Sequence, residues 1–362
     1  MRNDVHIIIM AGGIGSRFWP MSKSSFPKQF HDVLGTGKTL IQQTADRFKE
    51  ICPNENIWVV TNEQYRNLVA EQLPFIPEKQ ILCEPARKNT APCVLYAAKC
   101  IESVNPDAQL IVAPADHLIT DVREFERIID IALSTATDSN CLVTLGIKPS
   151  RPDTGYGYIQ YKEQENASIP EQRRVKTFTE KPDLELAKTF IESGEFAWNS
   201  GIFIWGLQTI LQEFQEHLPD MFNIFQEKDG HYGTDKEIEA IGEVYSTCPN
   251  ISIDYGILEK AATVYVVLAD FGWSDLGTWG SLYTHLDKDK DQNATVGKNV
   301  MVYDGGNNIV HVPQDKLVVL QGLDDYIVVE SDGILLVCKK QDEQKIKQIV
   351  IDIKTEKGEK YV

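Results

Sequence analysis

The sequence predicts an α/β fold with a Rossmann-like, mixed and mostly parallel sheet, helices on both faces of that sheet, and a small C-terminal β-rich domain. Three observations support this prediction. Short aliphatic runs alternate with amphipathic stretches over the first 150 residues, as in parallel sheets with crossover connections. Shorter strand-like runs follow near the C-terminus at a spacing of about ten residues. The length of 362 residues is enough for about two domains.

The first part of the chain supplies the parallel strands. Aliphatic runs predict buried strands at residues 5–10, 57–61, 109–113 and 141–147. The stretches between them have apolar residues at helical spacing, at residues 40–51, 63–72, 90–104 and 122–137. Ligands of such sheets bind beyond the carboxyl ends of the strands. The loops after Met10 and Ala113 are therefore expected to carry the chemistry.

The pattern changes after residue 150. Short strands are predicted at 156–161, 174–179 and 201–205, followed by helix to about residue 247 and again at 255–262. The polar stretch 287–293 is interpreted as a linker. Beyond it the sequence predicts strands at 297–303, 308–311, 317–321, 326–330 and 334–338, and a helix at 342–351. We therefore expect one domain over 1–286 and a β-rich domain with a terminal helix over 294–362.

Composition argues against several classes of protein. A formal net charge of −17 opposes nucleic-acid binding, and the longest early apolar run is too short to cross a membrane. The seven cysteines are scattered without a C-x-x-C pair, which is typical of reduced cysteines and predicts a cytoplasmic protein. Residues 1–30 nevertheless contain four Lys or Arg residues and a single Asp. Such a basic island in an acidic chain indicates a site for a small anion.

The strongest motif directly follows the first predicted strand. Residues 11–20 read AGGIGSRFWP, and the three glycines allow the backbone to approach a phosphate and bind its oxygens through amides. Arg17 adds a planar, permanent positive charge to the same loop. The alternative is a simple tight turn, which Arg17 and the sequence PKQ at 27–29 make the weaker interpretation.

Two other phosphate-binding motifs are incomplete. The loop begins like a dinucleotide fingerprint, but Phe18 occupies the place of its third glycine. Residues 35–39, GTGKT, resemble a P-loop, yet Asp32 replaces the first glycine and no strand is predicted before it. Lys38 is therefore expected to be a solvated residue at the start of a helix.

These residues carry a family resemblance. GGxGSRFWPxS at 12–22 and PKQF at 27–30 resemble the signature of the sugar-1-phosphate nucleotidylyltransferases, and the variant is most similar to bacterial mannose-1-phosphate guanylyltransferases. Small departures from the family pattern at Ser16, Phe18, Lys23 and Ala115 remove no charge. Seven further blocks follow in family order: EPARKNTAP at 84–92, PADH at 114–117, DTGYGYI at 153–159, FTEKPD at 178–183, WNSGIF at 198–203, SIDY at 252–255 and GWSDLG at 272–277.

The resemblance implies synthesis of GDP-mannose and pyrophosphate from GTP and mannose 1-phosphate, with Mg²⁺ as cofactor. The second pKa of a sugar phosphate is about 6, so its oxygen is already ionised at neutral pH and needs no general base. The protein has to align the substrates and neutralise crowded negative charge. Longer relatives carry an additional isomerase domain that this sequence lacks, so we expect transferase activity without isomerase activity.

The resemblance also assigns residues to these tasks. Arg17 and Lys28 are the expected catalytic residues, acting on the phosphates. The expected nucleotide-binding residues are Ala11, Gly12, Gly13, Gly15, Ser16, Glu84, Asn89, Thr90 and Asp116, with guanine near Gly12 and residues 84–90. The expected sugar-phosphate-binding residues are Gly155, Tyr156, Gly157, Glu180, Lys181 and Asn199. Asp116 and Asp275 are expected to hold the metal ion.

Several of these assignments have a purely structural alternative. Asp116 also suits the cap of a following helix, and Asp275 suits a turn. His117 is interpreted as a structural hydrogen-bonding residue, because no second histidine lies near it in the sequence.

The sugar and base assignments have such alternatives too. Glu180 and Lys181 fit an exposed ion pair at a strand end. Thr90 fits a helix cap, and Tyr156 and Trp198 suit packing as well as a platform for a sugar.

Two other functions remain open at this point. The chain can be a nucleotidylyltransferase for a different sugar 1-phosphate, or a non-catalytic sensor of nucleotide sugars. The intact set of cations and carboxylates favours an enzyme over a sensor. The C-terminal strands contain no predicted catalytic group, and their exposed edges suit a homodimer. No nucleic-acid or membrane partner is expected.

Overall fold

The structure is a computed structural model that describes residues 1–163 and 168–362. Its strands are β1 (Val5–Met10), β2 (Ile57–Asn62), β3 (Ile81–Glu84), β4 (Gln109–Pro114), β5 (Leu118–Ile119), β6 (Leu142–Ile147), β7 (Gly157–Tyr161), β8 (Gln172–Glu180), β9 (Phe196–Gly206), β10 (Val264–Ala269), β11 (Trp273–Ser274), β12 (Ala294–Val296), β13 (Asn299–Tyr303), β14 (Ile309–His311), β15 (Leu317–Gln321), β16 (Tyr326–Ser331) and β17 (Ile334–Lys339). Its α-helices are α1 (Leu40–Phe48), α2 (Arg66–Gln72), α3 (Thr90–Glu102), α4 (Val122–Ser139), α5 (Leu184–Ser193), α6 (Leu207–His217), α7 (Pro219–Gln226), α8 (Glu237–Thr247), α9 (Trp279–His285) and α10 (Ile346–Lys357).

The largest sheet in the described residues has nine strands, in the order β3-β2-β1-β4-β9-β6-β10-β8-β7. β1 is parallel to β2 and β4, β2 is parallel to β3, and β6 is parallel to β10. β9 is antiparallel to β4, β6 and β7, and β8 is antiparallel to β10 and β7. Within this sheet, every strand except β8 and β9 therefore runs in the same direction. The mixed, mostly parallel sheet predicted from the sequence is confirmed.

Both faces of this sheet are buried at β1 and β2. Ile8 and Val60 belong to an apolar cluster that also contains residues of α3, α6, α7 and α8. Their chain neighbours Ile7 and Val59 are equally buried, and successive residues of a strand point to opposite faces. Burial on both faces explains why these strands appear in the sequence as continuous aliphatic runs.

Two compact units divide the chain, and each is built from several separate segments. The first unit comprises Met1–Gly12, Ala45–Pro114 and Ile119–Trp273, and it contains the nine-stranded sheet. The second unit comprises Gly13–Thr44, Ala115–Leu118 and Ser274–Val362. The glycine-rich loop from Gly13 onward and the C-terminal strands thus belong to the same unit.

The second unit packs early and late parts of the sequence around one core. Its C-terminal strands form a four-stranded sheet in the order β12-β14-β16-β17 and a parallel pair, β13 and β15. Phe18, Trp19 and Leu40 share an apolar cluster with Ile327 of β16 and Ile346 of α10. The β-rich C-terminal part predicted from the sequence is therefore present, and its interior includes side chains from the first 44 residues.

The polar stretch predicted as a linker is hydrogen-bonded into the second unit. The Asn293 backbone N–H donates to Asp289 Oδ1 at 2.8 Å, and the Asn308 backbone N–H donates to Asn293 Oδ1 at 3.1 Å. Asn293 is only 2% exposed. This segment is an exposed turn closed by the buried Asn293, because its polar side chains satisfy each other and the neighbouring backbone.

Other predicted elements differ in detail. The helix predicted at 255–262 is a single π-helical turn, Asp254–Leu258. The helix predicted at 342–351 is shifted along the chain, with a 3₁₀ segment, Lys340–Lys345, before α10. No helix in the described part of the chain is both long and apolar enough to cross a membrane. Every cysteine is free.

Candidate active site

One cavity of the second unit gathers the predicted phosphate-binding and metal-binding residues. Its volume is about 280 Å³, and it is lined by Gly15, Ser16, Arg17, Phe18, Lys28, Asp116, His117, Asp275, Gly277 and Lys347. Both predicted catalytic residues and both predicted metal ligands are in this set. Gly13 belongs to the same unit, whereas Ala11 and Gly12 end the first segment of the other unit.

The shape of the glycine-rich loop at 11–20 requires Gly15. Its φ of +72° lies in the left-handed region, and an added Cβ would lie 2.5 Å from Cβ of Lys28. Two hydrogen bonds fix the loop to the segment that follows. The Lys28 backbone N–H donates to the Ile14 carbonyl at 3.1 Å, and Gln29 Nε2 donates to the Gly13 carbonyl at 3.0 Å. The loop and Lys28 are therefore positioned together.

The Lys28 ammonium group has a protein partner for each of its three N–H bonds. Lys28 Nζ donates to Asp116 Oδ2 at 2.7 Å and to the carbonyls of Asp275 and Leu276, each at 3.0 Å. The Lys28 side chain is only 3% exposed. Since a lysine has three donors and no acceptor, this arrangement fixes the ammonium group between the chain segments that carry both aspartates.

Asp116 is held in its ionised form. Burial by itself raises the pKa of Asp116, but the charges of Lys28 and His117 outweigh it and lower that pKa below its ordinary value. The carboxylate side chain remains 33% exposed. The helix-cap alternative for Asp116 is wrong, because Asp121 caps α4 by accepting from the Glu124 backbone N–H at 3.0 Å.

Asp116 and Asp275 fit a divalent cation. Both carboxylates line the same cavity, and Mg²⁺ typically takes one or two carboxylates together with phosphate oxygens and water. Asp275 Oδ1 also accepts from the Gly277 backbone N–H at 2.9 Å, so the turn expected as its alternative role is present as well. Among the described residues no cluster of three His, Cys, Asp or Glu side chains is arranged to hold a metal. A cation here would therefore complete its coordination with substrate and water.

The C-terminal segment contributes residues to this cavity that the sequence did not reveal. Lys347 of α10 lines the cavity, and Arg17 Nε donates to Gln344 Oε1 at 3.1 Å. Trp19 Nε1 donates to the Tyr361 carbonyl at 2.7 Å. Neither Lys347 nor Gln344 lies in a motif, so no sequence signal identified them. The sequence predicted no catalytic group in the C-terminal strands, and α10 beyond them adds a cation to the cavity lining.

In the first unit, Glu84 is a buried carboxyl beside Gly12. Tyr245 donates its hydroxyl proton to Glu84 Oε1 at 2.8 Å, and a Cβ added to Gly12 would lie 3.4 Å from Glu84 Oε2. Burial raises the pKa of Glu84 to about 7, against the smaller opposing effects of Tyr245 and Arg87. Thr61 Oγ1 donates to the Ala11 carbonyl at 2.9 Å, which fixes the backbone where it leaves β1.

Asn89 and Thr90 start α3. Asn89 has a φ of +71°, and its side-chain oxygen accepts from the Thr90 backbone N–H at 3.0 Å. The Thr90 hydroxyl accepts from the Ile253 backbone N–H at 2.9 Å. The helix-cap alternative for Thr90 is therefore wrong, because the residue at the cap position is Asn89 and the Thr90 hydroxyl is hydrogen-bonded to a different segment.

Three of the predicted sugar-binding residues meet at the end of β7. Gly157 pairs with Glu180 of β8, and a Cβ added to Gly157 would lie 2.7 Å from Glu180 Oε2 and 3.6 Å from Asn199 Cβ. Lys181 forms an ion pair with Glu180, and the Lys181 backbone N–H donates to the Tyr156 carbonyl at 3.2 Å. The absence of a side chain at Gly157 thus leaves a space between a carboxylate and a carboxamide.

The Asn199 carboxamide is held on both sides. Thr144 Oγ1 and the Gly201 backbone N–H both donate to Asn199 Oδ1, each at 3.2 Å. Asn199 Nδ2 donates to Asp254 Oδ1 at 2.8 Å. Asp254 belongs to the SIDY block, for which the sequence predicts no role.

Two predicted aromatic candidates are buried against each other. The rings of Tyr156 and Trp198 meet edge to face with centroids 4.9 Å apart, and the Arg151 guanidinium lies 5.3 Å from the Trp198 ring centroid. Tyr156 is 8% exposed and Trp198 is 4% exposed. Gly155 lies in the preceding turn, where its backbone N–H donates to Asp153 Oδ1 at 2.8 Å.

Comparison with known proteins identifies similar chains. A family model described as nucleotidyl transferase matches residues 6–292. A protein of Vibrio cholerae, described as a putative mannose-1-phosphate guanylyltransferase, is 37% identical over 98% of this chain and 75% of its own length. A mannose-1-phosphate guanylyltransferase of Escherichia coli is 35% identical over 95% of this chain and 74% of its own length.

A solved structure is similar along nearly the whole chain. It is described as a mannose-1-phosphate geranyltransferase from Thermus thermophilus, and it superposes with a TM-score of 0.86 at 29% identity. The match covers 97% of this chain and 99% of that one. The similarity therefore includes the C-terminal strands as well as the large sheet.

Proposed function

The chain belongs to the nucleotidyl transferase family, and from that premise we propose that it makes GDP-mannose and pyrophosphate from GTP and mannose 1-phosphate. The cavity that joins the phosphate loop, Lys28, Asp116 and Asp275 is the observation that carries this proposal. The choice of mannose and guanine follows the names of the relatives.

The proposed reaction is a direct displacement at phosphorus. An oxygen of the sugar phosphate forms a bond to the α-phosphorus of the nucleotide, and the bond from that phosphorus to the bridging oxygen breaks. Pyrophosphate leaves with the electron pair of the broken bond. The attacking oxygen is ionised at neutral pH because the second pKa of the sugar phosphate is about 6, so the reaction needs no enzyme base.

In this proposal the second unit binds the triphosphate. Backbone amides of the loop at 13–16 and the Arg17 guanidinium face the phosphate oxygens, and Lys28 fixes the loop and both aspartates around them. Positive charge that is already in place stabilises the negative charge that builds up in the transition state. Lys347 is a further cation beside the same oxygens.

Enzymes of this family typically act with a divalent metal, and we propose Mg²⁺ bound by Asp116 and Asp275. When bound, the ion would neutralise charge on the phosphates and favour a leaving pyrophosphate. Lys28 keeps Asp116 ionised, as a metal ligand must be.

The remaining predicted residues are proposed to bind the sugar phosphate and the base. Glu180 and Asn199 suit sugar hydroxyls, since a carboxylate accepts and a carboxamide donates, and Lys181 suits the phosphate. Gly155, Tyr156 and Gly157 supply the turn beside them. Glu84, Asn89 and Thr90 are proposed to contact the base, and Glu84 Oε2 beside Gly12 suits the N–H donors of guanine. We further propose a cytoplasmic protein, functional as a homodimer.

A screen for pyrophosphate release tests the proposed function. Four nucleoside triphosphates would each be combined with mannose, glucose and galactose 1-phosphates and Mg²⁺. We expect release with GTP and mannose 1-phosphate, and release with another pair would reassign the substrates. Tight nucleotide binding without release from any pair would favour a sensor.

A further inference from the structure

We propose that Asp254 is a positioning residue for sugar-phosphate binding, which orients the Asn199 carboxamide so that one of its N–H bonds is directed to a substrate hydroxyl. The inference rests on the proposed function and assigns a role to the SIDY block at 252–255. Asp254 begins the π-helical turn Asp254–Leu258. Such turns are rare and frequently occur at functional sites.

The contacts of Asn199 leave it one orientation. Its carbonyl oxygen accepts from the Gly201 backbone N–H, and the Thr144 hydroxyl lies within hydrogen-bond distance of both this oxygen, at 3.2 Å, and the Ile202 carbonyl, at 3.3 Å. One N–H of its amide donates to Asp254 Oδ1 at 2.8 Å. A rotated amide would direct its oxygen at the Asp254 carboxylate and its NH₂ group at the Gly201 backbone N–H. Asp254 therefore selects the rotamer that keeps the second N–H as a donor.

The Asn199 side chain lies beside Glu180, another predicted sugar-binding residue. Gly157 separates Asn199 from Glu180, and a Cβ at Gly157 would approach Asn199 Cβ to 3.6 Å and Glu180 Oε2 to 2.7 Å. A hydroxyl group donates one hydrogen bond and accepts others. A sugar hydroxyl placed over Gly157 can accept from the Asn199 amide while it donates to the Glu180 carboxylate.

The position of Asp254 is itself fixed by neighbouring backbone. The Ile253 N–H donates to Thr90 Oγ1 at 2.9 Å, and the Ala91 N–H donates to the Ile251 carbonyl at 3.1 Å. The segment before Asp254 is thus attached to the start of α3. Burial raises the pKa of Asp254, the Glu180 charge adds to that effect, and the hydrogen bond from Asn199 opposes it.

The test compares two substitutions at Asp254 in the full chain. Asp254→Ala removes the acceptor, and we expect kcat/KM for mannose 1-phosphate to fall about tenfold or more while the KM for GTP stays unchanged. Asp254→Asn keeps an acceptor oxygen, so it should restore most of the lost kcat/KM. Ser252→Ala is the matched control, because Ser252 Oγ accepts from the Tyr255 backbone N–H in the same turn without contacting Asn199.

A double substitution separates positioning from direct binding. If Asp254 acts through Asn199, then Asp254→Ala should add little to the effect of Asn199→Ala. Independent, multiplying effects would overturn the inference, as would a folded Asp254→Ala variant with the kcat/KM of the unmodified chain. Thermal unfolding of each variant identifies a loss of fold. If Asp254→Ala does not fold, the kcat/KM of Asp254→Asn is compared with that of the unmodified chain and of Asn199→Ala. An unmodified chain that releases no pyrophosphate would instead refute the proposed function.

Discussion

Lys28 Nζ donates to Asp116 Oδ2 at 2.7 Å, so a cation predicted to face the phosphates is bound to a carboxylate predicted to hold the metal. The two residues are far apart in sequence, and both belong to the second unit. A change at Lys28 therefore has two effects: it removes a positive charge from the cavity and leaves Asp116 without its closest counter-ion.

Lys28→Met should lower kcat about 100-fold or more, because a prearranged cation is lost from the transition state. The measurement is steady-state pyrophosphate release, with circular dichroism to confirm the fold. Lys38→Met serves as the control because Lys38 does not line the cavity. Equal activity in the two variants would contradict the role of Lys28.

Gly15→Ala should destabilise the protein by about 1–3 kcal/mol, because a side chain at positive φ is strained and would overlap Lys28. Gly13→Ala is matched to it: φ is not positive there, and an added Cβ would meet no atom within 4 Å. Urea unfolding should show a lower free energy of unfolding for Gly15→Ala alone. A similar loss in the free energy of unfolding for both variants would contradict the specific requirement for glycine at position 15.

Chelation of divalent metal should abolish turnover, and added Mg²⁺ should restore it. Asp275→Asn should raise the Mg²⁺ concentration needed for half-maximal rate, because one of two proposed carboxylate ligands loses its charge. Asp270→Asn is a control outside the cavity. Unchanged Mg²⁺ dependence in the Asp275 variant would remove that residue from the metal site.

Glu84 should make the protein less stable as the pH rises from about 4.5 to about 7. Its folded-state pKa is raised, so the folded state binds the proton more tightly than the unfolded state, and stability is lost until the carboxyl is ionised in both. Glu84→Gln should flatten this part of the profile. The check is the free energy of unfolding at several pH values, and a parallel profile in the variant would contradict the assignment.

Lys347→Met should raise the KM for GTP about tenfold if its ammonium group contacts the triphosphate. Lys357→Met, at the end of the same helix but outside the cavity, controls for a general change in net charge. The two variants should differ in the KM for GTP and agree in thermal stability.

The central part of the large sheet was predictable because β1, β2, β4 and β6 are aliphatic runs buried on both faces. β3 was missed because its four residues are too few to show a period, and β10 was missed although its sequence, VYVVLA, is typical of a strand. The cavity lining was predictable where a motif follows a strand, as at Gly15, Arg17 and Asp116. Lys347 and Gln344 enter through tertiary packing, which no local pattern specifies.

Asp254 illustrates an intermediate case. Its block was recognised, but its role depends on Asn199, which lies 55 positions earlier in the chain. Hydrogen bonds between such distant residues follow from the order of strands in the sheet. Here the β-bulge in the pairing of β6 with β9 lies close to Asn199. A single sequence does not specify that register.

The hydrogen bond from Trp19 to the Tyr361 carbonyl spans 342 positions of the chain. During translation, the glycine-rich loop leaves the ribosome long before α10 is made, so Phe18 and Trp19 must wait for their partners in β14, β16, β17 and α10. A nascent chain halted near residue 290 would lack these C-terminal partners and leave part of this apolar cluster uncovered, which makes early release or truncation a hazard for aggregation.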